Sequence, residues 1–111
     1  AFFVLDDGQL RCSVPGATLT TVEDAVPAGA WVHVACTADG TNLRIHVDGA
    51  SVAAIPAGTP TGVPIEPVEI GANSPCSSAP CPDAFIGALD TVRVYQRALS
   101  PAELCAIGCP K

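Results

Sequence analysis

The feature that most limits what this chain can fold into is the close spacing of its turn signals. Asp7-Gly8, Pro15-Gly16, Pro27-Ala28-Gly29, Asp39-Gly40 and Asp48-Gly49 cut its first half into short pieces. Asp-Gly tolerates the positive φ angles of a tight hairpin connection, so three of these signals read as hairpins. The pieces between them alternate in polarity, as in Leu10-Arg11-Cys12-Ser13-Val14 and Trp31-Val32-His33-Val34-Ala35-Cys36. That is the period of a strand with one buried face. The pattern predicts an all-β antiparallel sandwich, and the 11 prolines and 10 glycines among 111 residues agree with many short strands and turns. The length fits one domain, residues 1–111.

The clearest hairpin runs from Trp31 to Asp48. A two-residue loop at Asp39-Gly40 would set His33 opposite His46. Val32, Val34, Cys36, Leu43, Ile45 and Val47 then share the core face, and Trp31, His33, Ala35, Arg44, His46 and Asp48 share the other. A one-residue slip would mix the two sets, so the hydrophobic pattern specifies which residues face inward.

Beyond this hairpin the chain loses periodicity. Residues 55–67 hold four prolines and read as a loop. Residues 71–84, Gly-Ala-Asn-Ser-Pro-Cys-Ser-Ser-Ala-Pro-Cys-Pro-Asp-Ala, read as a second long loop. Long loops on a rigid β scaffold are where binding usually resides. Phe85–Tyr95 is expected to be the last strand, with Leu89, Val92 and Val94 inward and a bulge at Asp90-Thr91. A short helical turn follows: Ser100 is a good N-cap, Pro101 fits the first helical position, and Glu103 completes a capping box. Leu104 and Ile107 would give it an apolar face, and Gly108 would end it.

Six cysteines in so short a chain point to disulfides and an extracellular, oxidising setting. Cys12 and Cys36 both point inward from strands expected to be neighbours, so they could bridge, while Cys76 with Cys81 and Cys105 with Cys109 would be local clips. Other pairings of the six remain open at this point, as does zinc at the loop cysteines, although their spacing matches no common zinc module. A net charge of −6 argues against nucleic acid, which asks for a basic face. No apolar run is long enough for a membrane span. Ala1-Phe2-Phe3-Val4-Leu5 opens directly in strand-like sequence, which reads as the start of a processed or truncated chain.

The two blocks Trp31–Gly49 and Phe85–Leu104 together resemble the laminin-G-like, concanavalin A-like jelly rolls, which include the pentraxins. The matching residues are Trp31, His33, the hairpin to Val47-Asp48-Gly49, Phe85-x-Gly87, Asp90, Tyr95 and Leu99-Ser100-x-x-Glu103. The resemblance implies two packed antiparallel sheets and, in most members, a secreted binding module for glycans or protein surfaces. Members carry further strands ahead of the point matching Ala1, so the chain resembles the later part of such a domain. A partial sandwich exposes sheet edges that invite pairing with a partner chain.

Two candidate sites follow, and catalysis is read against. The resemblance implies calcium at Asn73 and Asp83, but the neighbouring acidic position is Pro75 and calcium asks for about six to eight oxygen ligands. A solvated loop pinned by cysteines accounts for the same residues. Trp31, His33 and His46 form a candidate ligand-binding face, with the indole available to stack on a sugar. Two histidines alone fall short of the three or four protein ligands zinc normally takes, and packing explains them equally well. As for catalysis, glucanases sharing this sandwich place acidic residues close together along one strand, whereas Glu66 and Glu69 sit in a proline-broken segment. The sequence therefore reads as a non-enzymatic, secreted carbohydrate- or surface-binding module. The alternative is a structural domain that pairs with a partner chain through its sheet edges and takes no small ligand.

Overall fold

The computed structural model describes residues 2–59, 70–71 and 85–110. The chain divides into two compact units, residues 1–61 with 95–111 and residues 62–94. The first unit holds two antiparallel sheets and a helix. One sheet has the order β1 (Phe2–Val4), β2 (Leu10–Val14), β3 (Ala17–Thr20); the other has the order β4 (Val34–Ala38), β5 (Asn42–Val47), β6 (Ala50–Pro56). The predicted hairpins at Asp7-Gly8, Asp39-Gly40 and Asp48-Gly49 all form. Pro15-Gly16 makes a fourth, between Val14 and Ala17.

The core lies between the sheets. Leu10, Cys12 and Leu19 from the first meet Leu43 and Ile45 from the second, with Val34, Cys36, Ala38 and Val47 packed against them. Of the predicted inward set of the long hairpin, Val34, Cys36, Leu43, Ile45 and Val47 are in this core, and Val32, which precedes β4, is not. The register of the hairpin differs. Val34 pairs with Val47 and Ala35 with His46, so His46 does not face His33 directly. The reason is the carboxylate of Asp39, which accepts from the amides of Thr41 and Asn42 at 2.9 and 2.7 Å and pairs with Arg44. Asp39 therefore stands before the loop rather than in it. Gly40 takes the first loop position with φ +86°, as a II′-type turn requires. The shift moves the pairing by two residues, which preserves both faces.

The Cys12–Cys36 bridge forms, with Cα atoms 6.4 Å apart, but it does not join adjacent strands. It crosses the core from β2 to β4 and fastens one sheet to the other. Cys105–Cys109 also forms, as a clip at the end of the helix. Cys76, Cys81 and the loop that carries them lie outside the described residues.

The helix α1 (Pro101–Gly108) starts as the sequence predicts. Ser100 Oγ accepts from the Glu103 amide and Glu103 Oε1 from the Ser100 amide. Arg97 adds a two-point ion pair to Glu103. Leu104 is buried, but Ile107 is 38% exposed and takes no part in the apolar face. Gly108 is the last helical residue rather than a left-handed cap, and Cys109 closes the helix with its amide on the Cys105 carbonyl.

In the second unit, the described residues of the expected last strand are not in a strand. Leu89, Val92 and Val94 are 52, 54 and 89% exposed, so they are not core residues. Thr91 has φ +54°, a left-handed turn of the chain where a bulge was expected within a ladder. An extended segment becomes a strand only when its backbone groups find a neighbour, and the described residues supply none here.

Candidate functional site

The candidate site is built around the start of β4. His33 precedes the strand and is held on both sides of its peptide: Asp48 Oδ1 accepts the His33 amide at 3.0 Å, and the Asp48 amide donates to the His33 carbonyl at 2.8 Å. Asp48 reaches this position because it adopts φ +49° in the tight Asp48-Gly49 turn between β5 and β6. The His33 ring lies against the last turn of α1, where a Cβ added at Gly108 would sit 2.2 Å from Nδ1. That Nδ1 is buried and has no hydrogen-bond partner among the described residues.

His46, on β5, is 5% exposed, and its Nε2 is 3.0 Å from Thr37 Oγ1 on β4. Burial pushes its pKa below the ordinary 6.5, with Arg44 and His33 lowering it further. Trp31 stands apart from both imidazoles in burial. It is 72% exposed, in the irregular segment leading to β4. The structure thus separates the three residues that the sequence grouped on one open face. The indole remains available to a ligand, His33 is half-buried beneath α1, and His46 is closed off.

Two glycines escaped the sequence reading. Gly108 looked like a helix terminator, yet its use is to let the His33 ring approach the helix backbone. Gly49, read as a turn former, also lies under the C-terminal clip: a Cβ there would sit 2.5 Å from Cys109 Sγ. Thr21 was likewise missed; it is buried, and its hydroxyl accepts the Leu10 amide while donating to the Val22 carbonyl. A buried threonine satisfied in this way carries no signal in sequence alone.

Among the described residues no cluster of three or more His, Cys, Asp or Glu is placed to hold a metal ion. Asn73 and Asp83, the expected calcium ligands, lie outside those residues. None of the six described strands contains Asp or Glu. No described helix is long and apolar enough to cross a membrane.

Two bridged antiparallel sheets with a capped helix closing against the β5–β6 turn define a disulfide-stapled β-sandwich of the jelly-roll class. Residues 1–105 match the family model for the concanavalin A-like lectin/glucanases superfamily, of the laminin-G type, and the chain belongs to that family. No curated protein matches the chain in sequence. Among solved structures, it is similar to an S-layer domain-containing protein (residues 221–444) from Clostridium thermocellum, with a TM-score of 0.58 and 22% identity. That match covers 90% of this chain and 50% of the other, so the chain spans about half the length of this structural relative.

Proposed function

We propose that the protein is a secreted, non-catalytic binding module that recognises carbohydrate or another extracellular surface, with Trp31 as its principal contact. The exposure of Trp31 carries this reading. A flat apolar ring with one polar N–H, left in water beside a rigid hairpin, is suited to stack on the apolar face of a sugar or on an aromatic or aliphatic partner. His33 and His46 serve as supports that fix the start of β4 rather than as direct contacts. The two disulfides support an oxidising compartment. Calcium at Asn73 and Asp83 remains part of the proposal.

Glycan-array binding, run with calcium and again with chelator, tests this reading. Binding lost in Trp31→Ala but kept in chelator supports the indole surface. Binding lost in chelator moves the site to Asn73 and Asp83. No binding in either buffer overturns the carbohydrate reading. A second reading, a module that assembles with other polypeptide through its sheet edges, is favoured by the outer strands β1, β3, β4 and β6, which have no further neighbour in their sheets among the described residues.

A further inference from the structure

The two described disulfides stand in different surroundings. Cys12 is 4% exposed and belongs to the core, so its bridge to Cys36 lies between the sheets. Cys105 is exposed on α1, and Cys109 is half-buried just past the end of the helix. A disulfide is opened by a thiolate that reaches one of its sulfurs, so access decides which bridge reacts. The Cys105–Cys109 bridge also joins residues only four apart, so it restrains the unfolded chain little and acts mainly on what it touches.

What it touches is the end of the helix and the turn beneath it. The helix closes without a left-handed residue: Cys109 has φ −70°, and its amide on the Cys105 carbonyl is the capping bond. The last turn carries no basic residue to offset the partial negative charge of a helix C-terminus. Two contacts hold that turn down. The His33 ring fills the space beside Gly108, and Cys109 Sγ fills the space beside Gly49. The bond to Cys105 keeps Cys109 Sγ at the second contact. Once it breaks, the two sulfurs must separate to ordinary non-bonded distance, and Gly49 blocks one direction. Cys109 then moves off the β5–β6 turn and carries the end of the helix with it.

We propose that Cys105–Cys109 is a redox-sensitive latch: an external dithiol opens it while Cys12–Cys36 stays closed, and the last turn of α1 then lifts from Gly49 and uncovers the His33 ring. A thiolate of the dithiol attacks Cys105 Sγ, the disulfide bond breaks, and Cys109 Sγ leaves as a thiolate that takes up a proton. The second thiol of the reagent attacks the reagent's own sulfur in the mixed disulfide and releases Cys105. Two electrons and two protons pass to the cysteines, and the dithiol ends as a cyclic disulfide. The sandwich survives the opening because Leu10, Cys12, Leu19, Leu43 and Ile45 form its core without any residue of α1. The capping box at Ser100 and Glu103 and the buried Leu104 keep the first turns in place, so the movement is confined to the end.

The test is graded reduction of the intact chain with dithiothreitol, followed by alkylation and mass mapping of each cysteine, with amide hydrogen exchange read in parallel. Cys105 and Cys109 should be alkylated at a reductant concentration that leaves Cys12 and Cys36 bridged. At that concentration the Cys109 amide should exchange at least about tenfold faster, and the His33 ring proton signals should move toward those of an imidazole in water. The amides of Ala35 and Thr37, which the ladder turns toward β5, should stay slow. Reoxidation should restore slow exchange at Cys109. The Cys105→Ala/Cys109→Ala variant should exchange fast at position 109 without reductant and show no further response to it, which ties the effect to this bridge. If Cys12–Cys36 opens first or at the same concentration, access does not select between the bridges and the proposal falls. Unchanged exchange at Cys109 after reduction makes the bridge a static clip. Faster exchange throughout β4 and β5 makes it a hold on the whole fold, which equally overturns the latch.

Discussion

The imidazole of His33 rests against the backbone of Gly108, closely enough that a methyl group there would lie 2.2 Å from Nδ1. This contact docks the C-terminal helix on the second sheet, and the approach of Cys109 Sγ to Gly49 docks it on the neighbouring turn.

Gly108→Ala should therefore destabilise the protein by about 1–3 kcal/mol, the usual range for overpacking. That loss outweighs the gain of about 1 kcal/mol that alanine gives over glycine inside a helix. Thermal melts of Gly108→Ala, His33→Ala and the double variant check it. In the His33→Ala background the alanine at position 108 should cost much less, because the two changes act on one contact.

Removing the inter-sheet bridge should cost about 2–4 kcal/mol, read from urea titrations of the Cys12→Ala/Cys36→Ala double variant. The bridge spans 24 residues of sequence and restrains the unfolded chain accordingly, whereas Cys105–Cys109 spans four. The Cys105→Ala/Cys109→Ala double variant should lose less. Equal losses would contradict this account.

Stability should fall in two stages as pH is lowered. His46 has a folded-state pKa below 6.5, so the unfolded chain binds more protons in that window. Its contribution is full above about pH 6.5 and is lost as pH falls from there toward the folded-state value. His46→Gln should flatten this stage.

Asp39 and Glu103 are both held at about 2, the first chiefly by the Asn42 and Thr41 amides and the second chiefly by Arg97. Their contributions are present above the ordinary 3.8 and 4.5 and are lost as pH falls toward 2. Asp39→Asn and Glu103→Gln should each shrink the acid stage of a melting series without altering the neutral one.

Ile45→Ala should cost about 2–5 kcal/mol, since the side chain is fully buried. Val94→Ser should change stability by no more than about 0.5 kcal/mol, because Val94 is 89% exposed. Denaturant midpoints of the two variants separate the observed core from the one that alternation alone suggests for the last segment.

The candidate site was only partly legible. Trp31 could be named because an aromatic residue at the head of a strand stands out in any reading. The fate of the histidines could not, because alternation tells which side of the sheet a residue takes and not what covers that side. His33 and His46 are on the predicted face; a helix more than fifty residues later in the chain closes over His33.

By itself, the sequence determined the local decisions: the hairpins, the inward set of β4 and β5, the capping box at Ser100 and Glu103. Each depends on neighbours a few residues away, through φ preferences, side-chain alternation and short hydrogen bonds. Tertiary structure alone decided the rest. It stretched Cys12–Cys36 across the core and gave Gly108 its use as a seat for His33. It also left the apolar run at Leu89, Val92 and Val94 outside any described strand. A strand exists only where another backbone completes its hydrogen bonds, and no property of those residues alone can supply that partner.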